Sequence, residues 1–132
     1  MIRDTIEKWH KLLETQDVAA LDTLLHEDVT FHSPVVHTPQ QGKQITTLYL
    51  AAAFNTLNGD DFKYLRQVIG ENDAVLEFQT VIDGITLNGV DMITCDDEGL
   101  ITDFKVMVRP LKAVTMIHQK MGEMLQKLGK AS

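Results

Sequence analysis

The side chains in this sequence best suited to moving protons fall in two places. His32, Ser33 and His37 crowd the run Phe31-His32-Ser33-Pro34-Val35-Val36-His37, and Asp91 interrupts the apolar run Gly89-Val90-Asp91-Met92-Ile93. Imidazole is the group best matched to proton transfer near neutral pH. A hydroxyl beside it, as Ser33 stands beside His32, is in principle a nucleophile pair, although chain neighbours on a strand point to opposite faces. Asp91 is either a carboxyl whose charged form is disfavoured by its surroundings or one satisfied by backbone donors or a cation. Arg109 is the candidate cation, although alternation puts it on the face opposite Val108.

Other chemistries find no support in the spacing. The five histidines, His10, His26, His32, His37 and His118, make no metal-ligand pair on one helix, and Cys95 is the single cysteine, so no metal is expected. Asp96-Asp97-Glu98-Gly99 lacks the alternating ligands of a calcium loop and reads as a hairpin turn. The sequence contains no nucleophile elbow, phosphate-cradling glycine loop or dinucleotide fingerprint, so no cofactor is expected.

The elements that must hold these residues follow from periodicity. Ile2, Ile6, Trp9, Leu12 and Leu13 make the apolar face of a first helix, and Val18, Leu21, Leu24 and Leu25 that of a second, with Asp17 at its N-cap. A strand is expected over Val29 to Val36, running out through Pro39 and Gly42 into a third helix over Lys43 to Leu57. Asn58, Gly59, Asp60 and Asp61 end that helix. The period then changes to two: Phe62 to Ile69, Ala74 to Ile82, Ile85 to Cys95 and Leu100 to Val108 read as four antiparallel strands, with Asn88-Gly89 suggesting a bulge. Pro110 opens a last helix striped by Leu111, Val114, Ile117, Met121, Met124, Leu125 and Leu128. The fold class is α+β, a bent antiparallel sheet with helices on one face and a concave side to be filled or to enclose a cavity.

A chain of 132 residues fits one domain, 1–132, and can bury roughly two thirds of its unfolded surface without a staple. The net charge of -7 opposes nucleic-acid backbones. Of the lysines gathered near the end, Lys112, Lys120, Lys127 and Lys130, the later ones suit the negative end of a helix dipole. No membrane partner is expected, because no run of eighteen uncharged apolar residues occurs. Met1-Ile2-Arg3-Asp4 begins no apolar leader, and the lone cysteine fits a reducing compartment, so the expected location is the cytoplasm.

Trp9, Asp17-Val18-Ala19-Ala20-Leu21, Asp28-Val29-Thr30-Phe31-His32-Ser33-Pro34-Val35, Gly42 and Gly89-Val90-Asp91-Met92-Ile93 leading to Asp97-Glu98-Gly99-Leu100-Ile101 together carry a family likeness. In their order and spacing, up to Arg109, the chain resembles the SnoaL-like branch of the nuclear transport factor two superfamily. Its members include ketosteroid isomerases, polyketide cyclases, limonene epoxide hydrolases, scytalone dehydratases and non-catalytic transport adaptors. The resemblance implies a cone-shaped sheet around an apolar pocket, and commonly a homodimer. By position, Asp91 falls where ketosteroid isomerase keeps a protonated aspartic acid that donates to the substrate oxyanion. Ser33 falls where that enzyme has its general-base aspartate, and Trp9 where it has a tyrosine. With two of three positions changed, ketosteroid isomerase activity is not expected.

The match turns Leu76, Phe78 and Thr80, Asp91 and Ile93, and Phe104, Val106 and Val108 inward, where Asp91 acquires a raised pKa by desolvation. Trp9, Phe31, Tyr49, Phe54, Phe78, Ile93, Phe104 and Val106 are the expected pocket wall, with Arg109 a further ligand-binding candidate. The function expected is a cofactor-independent isomerase, cyclase, lyase or hydrolase acting on a small apolar oxygenated molecule. Asp91 would be its acid or hydrogen-bond donor, with Ser33, His32 and Arg109 polarising the substrate. The alternative is a non-catalytic dimeric domain that binds a ligand or a partner protein. The last helix is either a lid over the pocket or a dimer contact.

Overall fold

A six-stranded mixed sheet, curved and unclosed, organises the chain in the computed structural model, which describes residues 2–57 and 59–129. The expected roles of Asn58 and Lys130, and of the Leu128 side chain, lie outside the described residues. Helix α1 (Ile2–Thr15) is followed by a 3-10 turn (Val18–Ala20), a single-turn α2 (Leu21–Leu24), β1 (Leu25–His32), a two-residue β2 (Gln40–Gln41) and α3 (Lys43–Leu57). Strands β3 (Lys63–Ile69), β4 (Asp73–Ile82), β5 (Ile85–Cys95) and β6 (Ile101–Arg109) precede α4 (Leu111–Gly129). The sheet order is β2-β1-β6-β5-β4-β3, with β1 parallel to β6 and every other pair antiparallel.

Three details correct the sequence reading. The second helix is shorter than expected because Leu25 already belongs to β1, where it pairs with Ile101 and is buried, and Asp17 precedes the 3-10 turn instead and makes no side-chain cap bond. Strand pairing there overrides helical spacing. The first strand consequently starts four residues early and ends at His32, which leaves Ser33 to Val36 in a loop. No bulge occurs at Asn88-Gly89, where pairing with both neighbours runs on in register. The register breaks at other places, between Leu25 and Thr30 on β1, between Tyr64 and Arg66 on β3 and between Thr94 and Cys95 on β5.

The remaining turns do what their chemistry dictates. Asp83 and Gly84 take φ of 52° and 77°, the two left-handed residues that a tight β4–β5 hairpin needs. Asp96 Oδ1 accepts from the Glu98 and Leu100 amides and shapes the β5–β6 turn. Thr5 Oγ1 on α1 donates to the Gly99 carbonyl of that turn at 2.8 Å, which fixes where α1 crosses the sheet.

Alternation assigns the two faces of the sheet. Leu76, Phe78, Thr80, Asp91, Ile93 and Phe104 are buried on the concave side. Val68, Val81, Met92 and Met107 are exposed on the convex side. Gly89 has a packing role: a Cβ there would lie 2.6 Å from Phe78 Cζ and 2.7 Å from the Met107 carbonyl oxygen. The missing side chain is what lets the Phe78 ring lie over β5.

Gly89→Ala is therefore expected to destabilise the fold by about 1–3 kcal/mol through overpacking. Urea unfolding of Gly89→Ala, Phe78→Leu and the double variant checks this, and a coupling energy is expected because the two residues touch.

Candidate functional site

Two apolar clusters meet beneath the concave face, and a cavity of about 60 Å³ lies where they join. One cluster unites α1, α2, β1 and the middle of the sheet, with Trp9, Phe31, Leu50, Phe54 and Phe104 on the cavity wall. The other unites α3, α4 and the β4–β5 hairpin, and contributes Phe78, Ile117 and Met121. Trp9 is seated by tilted ring contacts with Phe54 at 5.6 Å and Phe104 at 5.0 Å. Among the described residues, the titratable groups on this wall are Asp91 and Tyr64.

These two groups are joined. Tyr64 Oη donates to Asp91 Oδ2 at 2.8 Å, and Trp9 Nε1 donates to Tyr64 Oη at 2.9 Å. The chain of donors runs from α1 through β3 to β5. It leaves Tyr64 one orientation for its proton, because the indole hydrogen occupies a lone pair of the phenol oxygen. His10 packs its ring edge against Tyr64 at 5.0 Å, while its Nε2 meets Gln67 Oε1 at 2.8 Å.

Burial sets the electrostatics. Asp91 is 6% exposed, and loss of water pushes its carboxyl up to about 7, with the Tyr64 hydrogen bond pulling the other way. Desolvation outweighs one neutral donor, as expected for a carboxyl without a cation beside it. Burial, reinforced by the Asp91 charge, also pushes the Tyr64 phenol well above its ordinary value, so it remains a neutral donor. A carboxyl poised near neutrality in an apolar cavity can hold a proton, donate it to an oxygen and take it back.

The sequence-predicted wall is brought together in large part. Asp91, Trp9, Phe31, Phe54, Phe78, Phe104 and Val106 line the cavity. Tyr49 and Ile93 do not: Tyr49 packs against Phe31 with ring centroids 5.4 Å apart, and Ile93 is fully buried within the larger cluster, off the cavity wall.

The three expected polarising groups are elsewhere. His32 alternates with the inward Phe31, and its Nε2 pairs with Asp103 Oδ1 at 2.9 Å, away from the cavity wall. Ser33 lies past the strand end, and its Oγ accepts from the Val35 amide at 3.2 Å. Arg109 is exposed, and its Nε donates to Asn88 Oδ1 at 3.1 Å, so it does not pair with Asp91.

Tyr64 is the residue that sequence reasoning missed. Strict alternation would give it the same face as Arg66 and Val68, which are both exposed. The register break between Tyr64 and Arg66 makes Leu65 the extra residue, so the face inferred from one side of it does not hold on the other. The available signal was the aromatic pair Phe62 and Tyr64, two residues apart, which packs edge to face in the structure.

Comparison with known proteins agrees with this fold. The family model of the SnoaL-like domain matches residues 6–104. Among solved structures, the chain is similar to a steroid delta-isomerase from Pseudomonas aeruginosa, at 35% identity and a TM-score of 0.91 over 96% of this chain and 93% of that one. It is also similar to an uncharacterised protein with a cystatin-like fold from Silicibacter pomeroyi, at 30% identity and a TM-score of 0.83 over 90% and 83% of the two chains. A nuclear transport factor two-like protein of unknown function from Cytophaga hutchinsonii shares the fold, at 21% identity and a TM-score of 0.64 over 86% and 94%. No curated protein matches.

The raised pKa has a thermodynamic consequence. Between about pH 4 and 7 the folded carboxyl keeps its proton while the unfolded one has lost it, so stability falls as pH rises through that window. At about 1.4 kcal/mol per tenfold change, the full effect is on the order of 4 kcal/mol. Asp91→Asn, which cannot ionise, is therefore expected to be more stable than wild type by about 2–4 kcal/mol at pH 8 and by much less at pH 4. Denaturant unfolding of both proteins at the two pH values measures the difference. In parallel, Tyr64→Phe is expected to cost about 1–3 kcal/mol, because it strips Trp9 Nε1 and the carboxyl of a partner at once.

Proposed function

We propose, from the premise that the chain belongs to the SnoaL-like family of the nuclear transport factor two superfamily, that it acts on a small apolar molecule whose one oxygen function docks at Asp91. The reaction is of isomerase or cyclase type and uses no cofactor, and Asp91 is its acid and hydrogen-bond donor. One observation carries this reading: a buried carboxyl, tied to the protein by a single hydrogen bond from Tyr64 among the described residues, faces an otherwise apolar cavity with a pKa of about 7. Small-molecule sites are usually built in this way, with few polar groups among many apolar ones. A reaction that moves a proton within one molecule needs no net supply of protons. A single carboxyl that gives one up and recovers it completes the cycle. The likeness to a steroid delta-isomerase at 35% identity supports the isomerase reading.

A second reading, a domain that binds such a molecule without transforming it, is favoured by one specific observation. Ser33, at the position where the family resemblance would put a general base, does not line the cavity.

Proton NMR in D2O separates the two, with ketones graded from cyclohexenone to 3-oxosteroids. The enzyme reading expects deuterium to enter carbon positions next to the carbonyl of at least one ketone. The rate should fall as pH rises through about 7, where the neutral carboxyl is lost, and Asp91→Asn should lower it about 100-fold or more. Saturable binding of a ketone with no exchange above background, in wild type and variant alike, would establish the binding reading instead.

A further inference from the structure

The cavity as it stands, at about 60 Å³, has room for about two water molecules, at roughly 30 Å³ each. A ring-bearing molecule needs more, so one of the walls must move. The sheet wall is held by continuous ladders of hydrogen bonds, and α1 is fastened to the sheet by Thr5–Gly99 and by Trp9–Tyr64. Helix α4 is held differently. Ala113, Ile117 and Met121 recur every four residues on its buried face, and the last two reach the cavity. They belong to the smaller cluster with Ala52, Phe78 and Leu87, separate from the core that contains α1, α2 and β1.

Among the described residues, the side-chain polar link between α4 and the rest of the chain is Lys120 Nζ to Asp83 Oδ2 at 2.9 Å, on the surface. The other side-chain hydrogen bonds of α4, from Thr115 and Gln119, stay within the helix. Contacts made by dispersion alone can open without leaving a buried polar group unpaired, which is the usual property of a segment that opens locally. Methionine at position 121 adds a flexible side chain that can repack around a guest.

We propose that α4 is the lid of the Asp91 cavity and that Ile117 and Met121 set the size of the molecule admitted. This rests on the reading above only in taking that cavity as the place where the ligand sits. The aromatic part of the cavity wall, with Trp9, Phe54 and Phe104 from the larger core and Phe78 from the lid's own cluster, suits a flat ring system with one oxygen directed at Asp91.

Trp9 is the sole tryptophan of the chain and forms part of the cavity wall, so its fluorescence reports occupancy directly. Stopped-flow mixing with 2-naphthol, and with naphthalene as the probe without oxygen, should give observed rates that level off with concentration at the opening rate of α4. Lys120→Ala is expected to raise that plateau about threefold, as loss of one exposed ion pair would. Met121→Ala should admit 9-phenanthrol at least tenfold more tightly than wild type does, and Met121→Trp, followed by titration calorimetry because it adds a second tryptophan, should abolish binding of all three probes while the protein remains folded.

Amide hydrogen exchange of the unliganded wild type tests the lid without any ligand or variant. Amides of α4 should exchange about 100-fold faster than those in the centre of β4 and β5. Exchange of α4 at the rate of the sheet centre overturns the proposal, as does a rate that stays proportional to concentration, probe binding that Met121→Trp leaves intact, or the absence of Trp9 quenching in both wild type and Met121→Ala. Equal affinity of 2-naphthol and naphthalene for wild type and Asp91→Asn, with the lid behaviour intact, would instead count against Asp91 as the oxygen site and leave the lid standing.

Discussion

Asp91 is a carboxyl taken out of water and given one neutral hydrogen-bond donor in return. An ionised carboxylate in such surroundings is costly, and no cation lines the cavity among the described residues to offset it. The fold therefore holds this group close to neutral, and the neighbouring structure follows from that constraint. Tyr64 must reach it from β3, and Trp9 must reach Tyr64 from α1. The Thr5–Gly99 bond and the ring contacts of Trp9 with Phe54 and Phe104 fix the helix so that it can do so. Three elements distant in sequence converge on one proton.

The rest of the concave face supplies the dry environment that gives the constraint its effect. Gly89, the register partner of Phe78, keeps the space that the Phe78 ring fills, and the register break at Leu65 turns Tyr64 inward while Arg66 stays in solvent beside Glu77. Among the described residues, helix α4 contributes the aliphatic Ile117 and the thioether Met121 to the cavity wall. Each of these features removes water from Asp91. None of them adds a second acid or base. The chemistry open to the cavity is thus what one carboxyl and one phenol can do to an apolar guest.

Much of this was legible in the sequence. The apolar spacing of α1, α3 and α4 and the alternation of β4, β5 and β6 gave their bounds to within a residue or so, because each buries a regular stripe. Asp91 stood out as a charge within an apolar alternation. What could not be read depended on pairing between distant segments. Leu25 looked helical by spacing but is claimed by Ile101 across the sheet. The face of Tyr64 is set by a register break that period-two reasoning cannot locate. Alternation alone sends His32 to the convex side, opposite Phe31, and the site expected around Ser33 dissolves because the strand ends before it.

Both the acid role and the pH-dependent stability require Asp91 to be a near-neutral buried acid, and its carboxyl carbon can be watched directly. In a carbon-13 NMR titration of aspartate-labelled protein, with the resonance assigned by its loss in Asp91→Asn, a midpoint near 7 is expected. A midpoint near the ordinary aspartate value of about 4 would contradict it: the group would then be an ordinary ionised side chain, and neither the acid role nor the pH-dependent stability drawn from it would stand.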